Sequence, residues 1–297
     1  MSTRTRSGLF LAFVVAATAT AGCTRPPTVP PPTGGSCASD VTGTTYRRGP
    51  DPTLASVSAA EGPFAISQTA VTGQTGFAGG TIYHPNDTSA GTFGGIVMAP
   101  PYMVNSSANA AMSTRLASHG FVVLAFDANS TSDFPTARAT QAKAALGYLT
   151  DTSPVRTKVD RNRLAIGGFS MGGGATLEVA RDTPALKAAL PMVPWNSIKT
   201  FSTVQVPTMI LAAQNDSTAT VADHALPFFT SIPASTPKAY VEVQGAAHFM
   251  PASPPPSIVR YSVSWMKRWV DNDSRYSTFL SAGSSDLSTF RSCFASS

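Results

Sequence analysis

The sequence predicts an α/β fold, with a central, mostly parallel sheet that is covered by helices on both faces. Strand-like apolar runs alternate with helix-like stretches along most of the chain, which is typical of strands joined by helical crossovers. The run from Phe121 to Phe126 is continuously apolar, as expected for a strand buried on both faces. Hydrophobic residues make up 42% of the 297 residues, enough for a sizeable core.

The individual elements follow from hydrophobic periodicity and from turn residues. His119-Gly120 ends one helix in the way that a helix meets its C-terminal glycine. A closing helix carries Trp265 and Trp269 on one face, so both are expected in the core. The predicted strands cover 80–83, 95–99, 121–126, 164–168, 186–193, 207–213 and, as the last strand, 239–243. The predicted helices cover 108–118, 136–149, a stretch from Met171, 221–230 and the closing helix.

The N-terminal segment predicts export. Arg4 and Arg6 precede a short apolar run and then small residues, the three parts of a signal peptide over 1–22. The apolar run is too short to span a membrane. Cys23 closes a segment that resembles the lipobox of bacterial lipoproteins, although Thr20 replaces the usual Leu. We expect lipidation of Cys23 on the outer face of the bacterial cell envelope, with plain secretion after an A-x-A site as the alternative.

Residues 23–45 predict a tether, and the catalytic domain is expected over 46–297. Five prolines and two glycines fall between positions 25 and 36, a composition that is extended and semi-rigid. If Cys23 carries lipid, Cys37 and Cys293 remain as an even pair in an oxidising compartment. A disulfide between the two ends of the domain is favoured over a nucleophilic or metal-binding cysteine, because no C-x-x-C or Cys/His spacing is present.

The charge pattern argues against several classes of partner. The formal net charge is +5, and the Lys and Arg residues are scattered, whereas a nucleic-acid surface needs a basic stripe. We expect that the protein binds no nucleic acid, no cofactor and no metal. We also expect that it contacts a membrane only through the lipid anchor and that it is a monomer. The partner that remains is a polymeric or lipid ester substrate.

A G-x-S-x-G motif marks the candidate nucleophile, Ser170. The motif is Gly168-Phe169-Ser170-Met171-Gly172, and the apolar strand 164–168 runs directly into it while a helix follows. This strand-turn-helix setting is the nucleophile elbow, which exposes the serine at the carboxyl end of a sheet. The glycines are needed because the turn leaves no room for neighbouring side chains.

A serine hydroxyl needs a base and an orienting carboxylate, which follow the serine in the order Asp or Glu, then His. His248 lies in the loop after the strand 239–243, and Asp216 lies in the loop after the strand 207–213. The sequence therefore predicts a Ser170, Asp216 and His248 triad. The rejected candidates precede the serine or fall in a predicted helix: His84, His119, Asp223 and His224.

An oxyanion hole needs two N–H donors near the serine. The first is the backbone N–H of Met171, the residue after the nucleophile. The second is expected in the loop that follows an earlier strand, at Pro100-Pro101-Tyr102. Tyr102 keeps its N–H, whereas Pro101 has none.

With these residues in place, the chain resembles the bacterial polyester hydrolases, meaning cutinases and poly(ethylene terephthalate) hydrolases, over residues 46–294. The segments that carry the resemblance are Arg48-Gly49-Pro50, Gly79-Gly80-Thr81-Ile82-Tyr83, Leu116-Ala117-Ser118-His119-Gly120-Phe121-Val122-Val123, Ser170-Met171-Gly172-Gly173-Gly174, Trp265-Met266-Lys267-Arg268 and Val270-Asp271-Asn272-Asp273-Ser274-Arg275-Tyr276. The resemblance implies the α/β-hydrolase fold, the same triad and the same oxyanion hole. It also implies that Trp195 lines the substrate cleft, above His224 and Phe228 as packing residues.

The chain departs from the family pattern around the cleft. Pro101 and Met103 replace the usual Gly and Thr, and the rim is more apolar than usual. Gln214 and Gln244 replace calcium-binding Asp residues of some members, so no calcium is expected there. Ser281 replaces a family cysteine, which makes Cys37 the candidate partner of Cys293. The residues expected to contact substrate are Trp195, Met103, Phe134, Phe169, Thr218 and Phe249.

The sequence leaves three functions open. The interval between Val193 and Pro207 has no room for a lid domain, and an open groove suits an ester held in a polymer or at a surface. The leading hypothesis is a secreted serine ester hydrolase that cleaves polyesters, cutin-like and poly(ethylene terephthalate) among them. The alternatives are a lipase or esterase for short-chain glycerides, and a catalytically silent lipoprotein that uses the fold for binding.

Overall fold

The computed structural model describes Met1, Cys37 and residues 45–295. The predicted signal peptide beyond Met1, the lipidation site Cys23 and most of the tether lie outside the described residues. In the part of the chain that is described, no helix is long and apolar enough to cross a membrane.

Over the described residues, a nine-stranded sheet forms the centre of the fold, with six α-helices around it. The strands are β1 (Ile66–Val71), β2 (Gly79–Pro85), β3 (Phe93–Ala99), β4 (Phe121–Asp127), β5 (Val159–Phe169), β6 (Ala188–Met192), β7 (Thr208–Ala213), β8 (Lys238–Val243) and β9 (Leu287–Ser292). The helices are α1 (Leu54–Ser58), α2 (Ala110–Ser118), α3 (Pro135–Asp151), α4 (Met171–Asp182), α5 (Ala225–Ser231) and α6 (Pro256–Val270).

The strand order is β1-β2-β4-β3-β5-β6-β7-β8-β9. Strands β3 to β8 run parallel to one another, whereas β1, β2 and β9 pair antiparallel at the two sides. The predicted mostly parallel sheet is therefore confirmed. We call the edge at which β3 to β8 end the carboxyl edge, and the edge at which they begin the amino edge.

Two hydrophobic cores cover the two faces of this sheet. Alternate residues of β4 enter opposite cores: Val122 and Leu124 pack with α3, α4 and α5, and Val123 packs with α1, α2 and α6. A continuously apolar strand is required here because both of its faces are buried. The predicted arrangement of helices on both faces is confirmed.

Two predictions of secondary structure are wrong. Strand β8 is not the last, because β9 follows it and pairs antiparallel with it. Strand β9 was not predicted, because its residues are all half-buried and carry no continuous apolar run. Helix α5 begins at Ala225 instead of 221, so Asp223 and His224 lie outside it. Residues 220–223 form a turn instead, in which Thr220 Oγ1 donates to Asp223 Oδ2 over 2.7 Å.

A disulfide joins Cys37 to Cys293, with their Cα atoms 5.1 Å apart, so the predicted pairing is confirmed. The Cys37 N–H also donates to the Cys293 carbonyl over 3.1 Å. Cys293 N–H in turn donates to the carbonyl of Lys238, the first residue of β8. The disulfide therefore lies at the amino edge of the sheet.

Candidate active site

Ser170 occupies the tight turn between β5 and α4 at the carboxyl edge. Its backbone has φ 58° and ψ −117°, a conformation that non-glycine residues seldom adopt and that indicates local strain. The Ser170 N–H donates to the Met192 carbonyl at the end of β6, which holds the turn against the neighbouring strand. A Cβ on Gly172 would lie 2.1 Å from the Ala99 carbonyl oxygen, so only glycine permits this close approach of α4 to β3.

The structure brings Ser170, His248 and Asp216 into one chain of hydrogen bonds. His248 Nε2 lies 2.8 Å from Ser170 Oγ, and His248 Nδ1 lies 2.7 Å from Asp216 Oδ2. All three side chains are buried. An ionised carboxylate only accepts hydrogen bonds, so the partner at Nδ1 places the imidazole proton there and leaves Nε2 free to take the serine proton.

Backbone groups hold Asp216 in place. Its Oδ1 accepts from the N–H groups of Thr218 over 2.9 Å and Ala219 over 2.7 Å, while Oδ2 remains for the histidine. The loop that carries Asp216 is also tied to the loop that carries His248. Gly245 N–H donates to Gln214 Oε1 over 2.8 Å, so this glutamine links the two loops.

The loop after β3 lies beside the elbow. Ala99 of β3 pairs with Gly168 of β5 in the parallel register, and Tyr102 and Met171 each lie three residues beyond these paired positions. In the described part of the chain, neither the Tyr102 N–H nor the Met171 N–H donates to a protein acceptor. These two N–H groups are therefore free to donate to a ligand, and their role in an oxyanion hole stays a prediction.

A buried arginine that was not predicted from the sequence fixes this loop. Arg138 of α3 is fully buried and donates to the carbonyls of Pro100 over 3.2 Å and Thr131 over 2.7 Å. The Thr131 carbonyl also accepts from Met103 N–H over 2.7 Å. The signal that could have revealed Arg138 is a single long cation among the small, apolar residues that form the buried face of α3.

Exposed apolar side chains surround the site. Tyr102, Met103, Phe134 and Phe249 are four of the six large hydrophobic side chains that are exposed among the described residues. Phe134 contacts Tyr102 and Trp195 with ring centroids 6.2 Å and 6.0 Å apart. We call these five residues the aromatic rim, Met103 included.

Two residues that were predicted to contact the substrate, Phe169 and Thr218, do not belong to the aromatic rim. The prediction for Phe169 is wrong, because its side chain is fully buried and packs beneath His248 and Phe249 at 5.5 Å and 5.7 Å. As the last residue of β5, it points into the core on the side away from solvent. Thr218 is exposed beside Asp216, and its backbone supports that carboxylate.

The Trp195 ring packs against the imidazole ring of His224. The ring centroids of Trp195 and His224 are 5.6 Å apart with the planes at 31°, and the Phe228 ring makes an edge-type contact with His224 at 5.7 Å. His224 Nδ1 accepts from Lys199 Nζ, 3.1 Å away, which leaves the ring neutral. Burial, and after it the Lys199 ammonium, lower the pKa of His224 below its usual value.

Asn196, also not predicted from the sequence, anchors the loop that carries Trp195. This residue is buried, and its Nδ2 donates to Glu178 Oε1 over 2.8 Å and to the Gly174 carbonyl over 3.2 Å. Its Oδ1 accepts from Ile198 N–H over 2.9 Å. No sequence signal separates this asparagine from an ordinary loop residue, because its partners lie on a distant helix.

Within residues 45–295 and Cys37, no group of three or more His, Cys, Asp or Glu side chains could hold a metal ion. The expected absence of a metal and of calcium at Gln214 and Gln244 stays a prediction.

Comparisons with known proteins identify the family. A family model described as PET hydrolase-like matches residues 40–296. A bis(hydroxyethyl) terephthalate hydrolase of Streptomyces coelicolor is 48% identical over 237 residues, 79% of this chain and 76% of that protein. Cutinase 2 of Thermobifida cellulosilytica is 47% identical over 245 residues, 81% of this chain and 93% of its own. Cutinase est2 of Thermobifida alba is 46% identical over 256 residues, 83% of this chain and 85% of its own.

These matches cover the whole region that carries the elbow and the hydrogen-bonded serine, histidine and aspartate. They confirm the resemblance and the α/β-hydrolase fold that it implied. The chain therefore belongs to the PET hydrolase-like family and is a carboxylic-ester hydrolase.

Proposed function

We propose that this protein cleaves polyesters through an acyl-serine intermediate, with Ser170 as nucleophile, His248 as base and Asp216 as the group that orients the histidine. The observation that carries the proposal is the unbroken hydrogen-bond chain from Ser170 Oγ through His248 to Asp216 on a nucleophile elbow. The names of the relatives, cutinases and a terephthalate ester hydrolase, support this substrate class.

Acylation begins when His248 Nε2 accepts the Ser170 Oγ proton as Oγ attacks the ester carbonyl. The resulting oxyanion accepts hydrogen bonds from Tyr102 N–H and Met171 N–H. Collapse of this intermediate breaks the ester C–O bond, and the imidazolium gives its proton to the departing alkoxide.

Deacylation repeats the sequence with water. His248 deprotonates a water molecule that attacks the acyl-serine carbonyl, and Ser170 Oγ leaves with the proton that the imidazolium returns. The products are an alcohol and a carboxylic acid, and the enzyme regains its starting protonation state.

The aromatic rim supports a polymeric substrate. No helix or strand interrupts residues 194–207 between β6 and β7, so no lid covers the site from this region of the described chain. Exposed apolar side chains bind best to a surface that is itself apolar and extended. We propose that Trp195, Met103, Phe134 and Phe249 contact the acyl and chain units, with Thr218 at the border.

We further propose that residues 1–22 direct export, that 23–45 tether a catalytic domain over 46–297, and that Cys23 is lipidated. The protein would act as a monomer outside the cell. Intact-mass analysis of protein extracted from membranes would reveal the lipid on Cys23, and a mass without lipid would favour plain secretion.

The chemistry is tested by hydrolysis of a p-nitrophenyl ester. Ser170→Ala should lower kcat by about 10⁴- to 10⁶-fold without loss of folding. No turnover by the wild type would instead favour the silent binding protein. A second assay compares soluble products released from cutin, aliphatic polyester and poly(ethylene terephthalate) films with tributyrin hydrolysis. Cleavage of tributyrin alone would favour the glyceride esterase and contradict the polyester proposal.

A further inference from the structure

A groove opens at the amino edge of the sheet, far from Ser170. Its volume is about 430 Å³, and it lies between the end of α3, the start of β5 and the loop after α4. Leu164 of β5 lines it and precedes Ser170 by six residues. At about 3.3 Å per residue along a strand, the groove and the nucleophile are roughly 20 Å apart.

The lining of this amino-edge groove combines an apolar floor with a cationic rim. Leu146, Leu164 and Leu186 supply apolar surface, whereas the charged residues are Lys143, Arg161 and Lys187. None of the described residues that line the groove is acidic.

The three cationic side chains differ in whether they already form an ion pair with a carboxylate. Lys143 contacts Asp182 at 3.4 Å, and Arg161 contacts Asp151 at 2.5 Å, both at the exposed surface. The Lys187 side chain is exposed and has no ion-pair or hydrogen-bond partner among the described residues. A free ammonium beside apolar surface suits a ligand with an anionic head and an apolar body.

We propose that the amino-edge groove binds an organic carboxylate with one ring or a short alkyl chain. The carboxylate would pair with Lys187 and Lys143, and the apolar body would lie against the three leucines. The volume falls in the range of about 300–1,000 Å³ that is usual for small-molecule sites. Where the bound carboxylate is the acid that ester hydrolysis releases, the inference rests on the proposed function.

Binding is measured by NMR titration of ¹⁵N-labelled protein whose Ser170 has been blocked with a phosphonate. The block keeps ligands out of the catalytic cleft, so failure of binding would not bear on the proposed catalysis. Benzoate and hexanoate represent aromatic and aliphatic acids, and benzamide is the uncharged control. Either acid should shift the amide signals of residues 143–150, 161–164 and 183–187, and benzamide should bind at least about tenfold more weakly.

Gly147 allows a test of shape with a matched control. A Cβ on Gly147 meets nothing within 4 Å, so Gly147→Ala should leave the groove open. Gly147→Leu adds a branched side chain beside the apolar floor and should abolish binding of either acid. Hydrolysis of a soluble p-nitrophenyl ester should be unchanged in both variants.

Charge is tested with Lys143→Ala/Lys187→Ala, which should weaken acid binding by about tenfold or more. Arg47→Ala removes an exposed cation elsewhere and should leave binding unchanged. The proposal is overturned if neither acid shifts the groove signals, if benzamide binds as well as benzoate, or if Gly147→Leu and the double lysine variant bind like the wild type.

Discussion

The two edges of the sheet are built in opposite ways. Among the described residues, three of the four non-glycine residues with positive φ lie at the carboxyl edge, namely Met103 at 58°, Ser170 at 58° and Val193 at 38°. Such backbone conformations cost free energy and persist only where the surrounding structure enforces them. The same edge exposes the aromatic rim. It is therefore both strained and incompletely covered.

The amino edge instead holds a buried ion-pair network. Asp271, fully buried after α6, accepts from Lys267 Nζ and from Arg163 Nη1, each over 2.8 Å. Arg163 also pairs with Asp160 over 3.0 Å. Removing one member of such a network leaves another buried charge without its partner, which is costly.

Stability and reactivity are thus placed at different ends of the same strands. The Ser170 turn is held locally by the Met192 carbonyl, whereas the ion-pair network and the Cys37–Cys293 disulfide crosslink the opposite edge. Four experiments test this division between the edges.

Asp216→Asn should lower kcat for a p-nitrophenyl ester by about 10⁴-fold, because the amide no longer holds the histidine in the productive tautomer. Its Oδ1 can still accept from Thr218 and Ala219, so the free energy of unfolding should change little. Initial rates and chemical denaturation measure the two quantities. Loss of stability comparable to the loss of activity would mean that Asp216 mainly supports the fold.

Lys267→Met should lower the free energy of unfolding by about 3–5 kcal/mol, because buried Asp271 loses one of its two cations. The control is Arg161→Ala, which removes the exposed pair with Asp151 and should cost at most about 1 kcal/mol. Equilibrium denaturation provides both values. The division between edges further requires that kcat of folded Lys267→Met stay near the wild-type value, and a large fall in kcat would contradict it.

His119, buried at the amino edge, should make stability depend on pH. Burial, and after it the Lys267 ammonium, lower the pKa of His119 from 6.5 to about 3. Between these values the unfolded chain binds the proton and the folded chain does not. The contribution of neutral His119 to the free energy of unfolding is thus complete above pH 6.5 and is lost near pH 3. Between these values it falls by about 1.4 kcal/mol for each unit by which the pH decreases.

Denaturation curves at pH 6 and pH 5 test this dependence in a window where most carboxylates stay ionised. His119→Phe cannot take up the proton, so the fall in stability between the two pH values should be smaller than in the wild type. An identical fall in both proteins would show that other groups cause it.

Met103→Gly should raise the free energy of unfolding by up to about 1 kcal/mol, since glycine adopts φ 58° without the steric cost. The Met103 side chain is 62% exposed, so little packing is lost. Release of soluble products from polyester films should decrease while p-nitrophenyl ester hydrolysis changes little. Asn272→Gly relieves a φ of 49° after α6 and should leave film hydrolysis unchanged. Equal effects of both variants on film hydrolysis would refute the division.

Much of the candidate site could be predicted because its signals are local in the sequence. The elbow is a strand, a G-x-S-x-G turn and a helix in immediate succession, so Ser170 and Met171 follow from neighbouring residues alone. Chain order then selects Asp216 and His248, because each lies in the loop after a recognisable apolar strand. The strands that escaped prediction, β1 and β9, lie at the sides of the sheet, where exposure removes the apolar run that marks a buried strand.

The local sequence does not determine which side chains near the end of a strand face solvent. Phe169 and Phe249 are both phenylalanines beside triad residues, yet Phe169 is fully buried and Phe249 is 65% exposed. The difference arises from packing: Phe169 ends a central strand, whereas Phe249 follows a loop at the surface. Arg138 and Asn196 were hidden for the same reason, since the Pro100 carbonyl and the Glu178 carboxylate that they bind are distant in sequence.

Ser170 and its order relative to Asp216 and His248 were thus determined by the sequence alone, because a tight turn and the alternation of strands and helices are encoded by adjacent residues. The tertiary structure decided the hydrogen-bond distances of the triad, the composition of the aromatic rim and the contrast between the two edges. These depend on contacts between segments far apart in the chain, whose register only the folded sheet establishes.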